Sequence, residues 1–127
     1  MEKVYCHNVE ELIRKMIREL RGRVVEEVPE TGDFPKVSVK YENPDKALTI
    51  SHILLWVANA PKGSDGSGHE RYIELAAYNL PSPYYCRVMM GWGSKEDIVK
   101  LLDDEGLVQR LLEKVPRMAE EFRHIPW

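Results

Sequence analysis

The glycine-rich stretch from Ala60 to His69 is the part of the sequence that could bring a backbone closest to a phosphate. A phosphate-binding loop of the nucleotide-hydrolase type ends in Gly-Lys-Ser/Thr and opens a helix. Here Lys62 precedes the first glycine of the stretch, and His69 leads into a predicted strand. The spacing of a dinucleotide-binding fingerprint is also missing. We therefore expect a flexible hairpin loop.

Four histidines could supply imidazole groups to a metal or to a proton transfer, namely His7, His52, His69 and His124. A zinc site needs three or four converging ligands, and no pair of these histidines has the spacing that makes such a site specific. We predict no metal and no cofactor. His52 falls on the core face of its predicted strand, where a neutral imidazole with one or two hydrogen bonds is the expected state.

The two cysteines, Cys6 and Cys86, are too few for a disulfide framework and lack the paired spacing of a zinc site. Cys86 could act as a nucleophile only if a histidine lay within hydrogen-bond reach and positive surroundings favoured the thiolate. The predicted register instead sets it opposite Ala77 on the core side, which suits an inert thiol. Adjacent carboxylates such as Asp103 and Asp104 indicate solvated surfaces. We predict no catalytic residue.

The overall composition is that of one globular domain covering residues 1–127. The chain is 43% hydrophobic and carries 18 basic against 21 acidic residues, which gives a net charge of -3 without a concentrated basic surface. Nucleic-acid binding is disfavoured, because affinity for phosphates needs clustered cations. The polar start lacks a signal peptide, and the longest apolar run, Ile53 to Ala58, is far below the ~20 residues of a membrane span. We expect a cytoplasmic protein.

Helices are predicted at both ends of the chain. Apolar residues recur with a helical period from Val9 to Leu20, after Asn8 as a candidate N-cap. The helical period returns after Gly93, with Ser94 as N-cap, and continues past Gly106. Pro116 is expected to kink or break the last stripe, so two or three C-terminal helices are predicted.

The middle of the chain has the period of two that is typical of strands. Five strands are predicted, at Arg23 to Val28, Lys36 to Glu42, Ala47 to Ala58, Glu70 to Asn79, and Tyr84 to Trp92. Short connections favour antiparallel neighbours. The predicted fold is therefore α+β, with a largely antiparallel five-stranded meander packed against an N-terminal helix and two or three C-terminal helices.

Two hairpins allow a register to be predicted. A turn at residues 43–46 pairs Tyr41 with Leu48, Val39 with Ile50 and Val37 with His52 on the core face, and Lys40 with Thr49 and Ser38 with Ser51 on the reverse. A turn at residues 80–83 pairs Ala77 with Cys86, Leu75 with Val88 and Ile73 with Met90 on the core face, and Tyr78 with Tyr85, Ala76 with Arg87 and Glu74 with Met89 on the reverse.

The reverse face of this sheet is predicted to carry more apolar and aromatic side chains than a solvated surface needs. Aromatic residues and Arg supply much of the binding energy at protein interfaces. Either a helix of the chain covers this face, or a partner or a second copy does. The predicted partner-binding residues are Ile53, Leu55, Tyr72, Tyr78, Tyr85, Arg87 and Met89.

The sequence thus favours a non-enzymatic interaction protein of the adaptor, inhibitor or immunity type, with a protein partner or a homodimer as the expected assembly. The alternative is a small-molecule-binding domain or small enzyme with a cavity between sheet and helices, where His52, Cys86 or Tyr84 supplies the polar group. Fold class alone does not choose between them.

Overall fold

The computed structural model describes residues 9–42, 50, 52–59, 70–78 and 85–123. They form three helices and four strands, which are α1 Val9–Glu27, β1 Val37–Glu42, β2 His52–Asn59, β3 Arg71–Tyr78, β4 Tyr85–Gly93, α2 Lys95–Leu102 and α3 Glu105–Arg123. The strands make one antiparallel sheet in the order β1-β2-β3-β4. The predicted α+β class with an antiparallel meander is therefore confirmed.

The predicted first strand, Arg23 to Val28, is wrong, because α1 continues through Gly22 to Glu27. Val24 and Val28 are fully buried and extend the apolar stripe of the helix at a spacing of four residues. Arg23 also binds Glu27 one turn later, with Nε donating to Oε2 over 2.8 Å. The sheet consequently has four strands in the described residues, where the sequence predicted five.

The register of β1 against β2 differs from the predicted one. Tyr41 pairs with Ile53, five residues beyond its expected partner Leu48. Residues 43–51 separate the two strands, so the connection is longer than the predicted turn at 43–46, which lies outside the described residues. Because five is odd, the shift exchanges the two faces of β2. His52, predicted on the core face, therefore lies on the opposite face.

The β3–β4 hairpin follows the predicted register along most of its length. Five predicted pairs are confirmed, namely Ala77–Cys86, Leu75–Val88, Tyr78–Tyr85, Ala76–Arg87 and Glu74–Met89. The sixth is wrong, because Ile73 pairs with Gly91 instead of Met90. An irregularity between Ile73 and Glu74 leaves Met90 as an extra residue, which is a β-bulge.

All three described helices pack on one face of the sheet. The core combines their buried residues with Val37 and Val39 of β1 and with the helix-facing residues of the other strands.

The hydroxyl of Ser94 caps α2. Helix α3 continues past Pro116 without the expected break, and Val115 and Met118 on either side of the proline are both buried. None of the helices in the described ranges is both long and apolar enough for a membrane span.

Candidate functional site

The face of the sheet turned away from the described helices, here called the second face, carries an unusual mixture of residues. Strand pairing places on it His52, Leu54, Trp56 and Ala58 of β2, Tyr72, Glu74 and Ala76 of β3, and Arg87, Met89 and Trp92 of β4. Aromatic, acidic and basic groups therefore lie side by side where a solvated sheet would be uniformly polar.

The centre of the second face is buried. Trp56 is only 5% exposed, and Ala76 beside it is buried as well. Lys36, which immediately precedes β1, extends over the indole, with its Nζ 4.8 Å from the ring centroid, a cation–π contact. His52 is also buried, and its Nε2 lies 3.5 Å from Oε1 of the exposed Glu42. Trp56, Ala76 and His52 are therefore removed from solvent and offer no open surface to a partner.

Glu74 is a buried acid in the same region. Its Oε1 lies 3.3 Å from Nε of Arg87, but the contact lacks hydrogen-bond geometry, and no other donor reaches this oxygen from the described residues. A carboxylate removed from water needs a compensating charge, and Arg87 is the cation beside it. The pair thus places the guanidinium of Arg87 on the second face, next to Glu74.

The outer part of the second face is accessible, and we call Tyr72, Arg87, Met89 and Trp92 the β4 strip. Met89 is 48% exposed and Trp92 is 68% exposed. Tyr72 is half-buried and pairs directly with Trp92 across the two strands. Trp92 also borders a groove of about 520 Å³ between β4 and the helices, whose lining includes Lys100 and Arg110. The strip therefore presents aromatic, apolar and cationic groups to solvent at one edge of the sheet.

Trp92 was not among the residues predicted from the sequence. Strict alternation from Met89 assigns it to the core side, whereas the bulge at Met90 turns it to the second face. Gly91 and Gly93 flank it, and glycine inside a strand is a known signal for a bulge. Gly93 adopts φ of 150°, and Ser94 then caps α2. The bulge and the helix start together leave the indole in solvent.

The structure brings together only part of the predicted site. Tyr72, Arg87 and Met89 share the second face of the sheet. Ile53 and Leu55 do not, because the register shift turns them toward the helices, where each is 1% exposed. Tyr78 and Tyr85 pair with each other at the end of the hairpin opposite Trp92. Their side chains lie outside the described part of the chain.

In each edge strand of the described sheet, one backbone carbonyl accepts a hydrogen bond from an arginine of a helix. Arg23 of α1 donates to the carbonyl oxygen of Ser38 in β1. Arg110 of α3 donates to the carbonyl oxygen of Met90 over 3.2 Å. Met90 is the bulged residue, so its carbonyl has no regular ladder partner. These contacts hinder the addition of another strand at either edge. The second face is therefore the more accessible surface of the sheet.

A cleft of about 250 Å³ lies between β4 and the second half of α3. Its lining in the described residues consists of Cys86, Arg87, Val88, Lys114, Arg117 and Met118. Cys86, predicted as an inert buried thiol, is half-buried at this cleft and forms no disulfide. Its predicted partner Ala77 is confirmed.

Among the described residues, no group of three or more His, Cys, Asp and Glu side chains could hold a metal ion. The loop from Ala60 to His69 and the histidines other than His52 lie outside these residues.

A comparison of the chain with known protein families, with curated proteins and with solved structures found no match.

Proposed function

We propose that this chain is a non-enzymatic interaction module that binds a partner protein through the β4 strip. The observation that carries the proposal is the joint exposure of Trp92 and Met89 beside Tyr72 and Arg87. Trp, Tyr and Arg are the residue types that most often dominate binding energy at interfaces, and Met is enriched there as well. Water contact with the indole of Trp92 is unfavourable, and a partner would remove it.

The position of the strip on paired strands also favours a binding role. Less backbone entropy is lost when such residues associate than when residues of a mobile loop do so.

The partner is expected to be a different protein with an acidic surface around an apolar contact. Arg87 lies on the strip, and Lys114 and Arg117 lie beside the same strand at the cleft. A second copy of the chain would present the same cations to them, which costs energy when like charges approach. An acidic partner gains attraction from these three cations at short range.

Site-specific photo-crosslinking tests the proposal. A benzophenone amino acid replaces Trp92 in one variant, Met89 in a second and the exposed Val25 of α1 in a third, and each is irradiated in the chain's own host cells. We expect the first two positions to give the same discrete crosslinked protein and the Val25 position not to give it. The additional change Arg87→Glu should weaken the crosslink at position 92 about tenfold or more, because it reverses the charge at the interface.

Two outcomes would overturn the proposal. The first is the same set of products at positions 92 and 25, which indicates adventitious contact. The second is a product at twice the mass of the chain as the main species at position 92, because a second copy would then occupy the strip. Identification of the crosslinked protein then shows whether its contact surface is acidic.

A further inference from the structure

The cleft between β4 and α3 combines cations and an apolar floor in a way that no contact within the described chain explains. Lys114 and Arg117 stand three residues apart on α3, so they project from the same side of the helix. Val88 is half-buried and Met118 is buried below them. The cleft has a volume of about 250 Å³, and its described lining contains no carboxylate.

Lys114 and Arg117, the two cations that α3 contributes to the cleft, lack the ionic partners that the arginines of α1 have. Arg14, Arg21 and Arg23 each bind a carboxylate, of Glu105, Asp103 and Glu27 respectively. In the described residues, neither Lys114 nor Arg117 forms an ion pair or a hydrogen bond through its side chain. The third cation of the lining, Arg87, lies beside Glu74. A bound anion would supply Lys114 and Arg117 with the counter-charge that the described residues do not provide.

The size of the cleft limits the ligand. Drug-sized molecules occupy pockets of about 300–1,000 Å³, so this cleft accepts only something smaller. The charges require an anionic head, and Val88 and Met118 suit a short apolar chain attached to it. The neighbouring thiol of Cys86 lies in the same lining and can report on occupancy.

We infer that this cleft is a binding site for a small amphiphilic anion, with a carboxylate or phosphate head held by Lys114 and Arg117 and an apolar tail on Val88 and Met118. The lining of this site shares Arg87 with the β4 strip, but the exposed Met89 and Trp92 of the strip are not part of it. Crosslinking at positions 89 and 92 reports on the partner protein and alkylation of Cys86 reports on the anion, so either proposal can fail while the other holds.

The test uses alkylation of Cys86 in the full chain with Cys6→Ser, which leaves a single thiol. The anionic reagent iodoacetate and the neutral reagent iodoacetamide are compared, and the ratio of their rates is normalised to that of a small model thiol. We expect a normalised ratio of iodoacetate to iodoacetamide rates of about three or more, because the nearby cations attract the anionic reagent. It should fall toward one in Lys114→Gln/Arg117→Gln and with added salt.

Ligand occupancy is measured as protection of Cys86 from iodoacetamide. Butyrate, butyl phosphate, inorganic phosphate and butanol are titrated separately, so that carboxylate heads, phosphate heads and the tail alone are distinguished. Saturable protection by butyrate or butyl phosphate, with at least about tenfold weaker protection by butanol and inorganic phosphate, is the expected result because head and tail each contribute free energy.

The matched control is Arg18→Gln, which removes an exposed, unpaired cation of α1 away from the cleft and should leave both readouts unchanged. Thermal unfolding checks that the double variant remains folded. A rate ratio equal to that of the model thiol would overturn the inference. Protection that is equal for butanol and butyrate, or that persists in the double variant, would overturn it as well.

Discussion

Arg71 shows how a single buried residue organises the connection between the first helix and the sheet. It is fully buried on the helix-facing side of β3. Its Nη2 donates to the carbonyl oxygens of Pro29 and Gly32, each over 2.9 Å, and its guanidinium lies 5.5 Å from the ring centre of Phe34. Gly32 has φ of 88°, a conformation that favours glycine. Arg71 therefore anchors the segment after α1 to β3, and Asn59 of β2 adds two hydrogen bonds to the backbone of Phe34.

Replacement of Arg71 by Met should destabilise the fold by about 3 kcal/mol, since a hydrogen bond to a charged group contributes about 1.5–3 kcal/mol and two carbonyls lose their donor. Urea unfolding monitored by circular dichroism measures the change. Arg18→Met is the control, because Arg18 is exposed and makes no described contact. A loss in Arg71→Met no larger than the control value, about 0.5 kcal/mol or less, would contradict the anchoring role.

Asp97 gives a pH-dependent prediction at the start of α2. The backbone amide and the hydroxyl of Ser94 both donate to its Oδ2, each over 3.0 Å, and these bonds lower the pKa of Asp97 below its ordinary value of 3.8. Because the folded pKa is depressed, the associated stability is present above the unfolded pKa and is lost as pH falls through the folded value.

The Asp97→Ala variant should therefore be less stable than the wild-type chain at pH 7, and the difference should shrink as pH falls below about 4. Urea unfolding at a series of pH values measures it. In the Ser94→Ala variant, the pKa of Asp97 followed by carboxyl NMR should rise part of the way toward 3.8, because the hydroxyl donor is lost and the backbone donor remains. A stability difference that stays constant down to pH 2 would rule out the capping contact as the cause, and a pKa of Asp97 unchanged by Ser94→Ala would rule out the contribution of the hydroxyl.

At the scale of the elements, β2 offers a direct test of which face is the core. Leu55 is 1% exposed and faces the helices, whereas its neighbour Leu54 is half-buried on the second face. Leu55→Ala should cost about 3 kcal/mol, because a buried leucine loses its contacts and leaves a cavity. Leu54→Ala should cost about 1 kcal/mol, since less of its surface is buried.

The two leucine variants control for each other, because the substitution and the strand are the same. Chemical denaturation of both proteins gives the comparison. Equal losses, or a larger loss for Leu54→Ala, would mean that the faces are exchanged and that the register first predicted from the sequence is the true one.

The contrast between the two hairpins shows what a sequence can predict about strands. Alternation in β3 and β4 was informative because Leu75 lies between Glu74 and Ala76, and Arg87 precedes Val88. Residues 53–58 are apolar without interruption, so alternation there assigns no face, and the register depended on a guessed turn. A connection longer than that turn shifted the pairing by an odd number of residues.

The other differences arise from interactions between distant parts of the chain. Residues 23–28 contain Val24, Val25 and Val28, which favour strands locally, but burial of Val24 and Val28 against the core keeps the segment helical. The bulge at Met90 depends on pairing with β3, and Arg110 of α3 binds its free carbonyl. Single-sequence periodicity contains neither signal. It therefore predicted Tyr72, Arg87 and Met89 of the strip and missed Trp92.

For the whole molecule, the described helices on one face leave two routes by which another chain could approach the sheet. One is the second face with the β4 strip, and the other is the pair of edges. Arg23 and Arg110 each occupy a carbonyl at an edge strand. Edge strands with free backbone groups promote pairing between molecules, and native proteins often use charged side chains to prevent it.

Removal of both guanidinium groups should therefore make the chain associate with itself through the edges of the sheet. We expect Arg23→Gln/Arg110→Gln to self-associate about tenfold more tightly than the wild-type chain, which corresponds to about 1.4 kcal/mol. Sedimentation velocity over a concentration series measures this self-association.

Arg14→Gln is the control, because it breaks the ion pair with Glu105 and leaves the edges intact. Equal sedimentation of the wild-type chain and the double variant would show that the edge arginines do not limit association. Association that persists after Trp92→Ser is added to the double variant would confirm that the edges, and not the β4 strip, form the new contact.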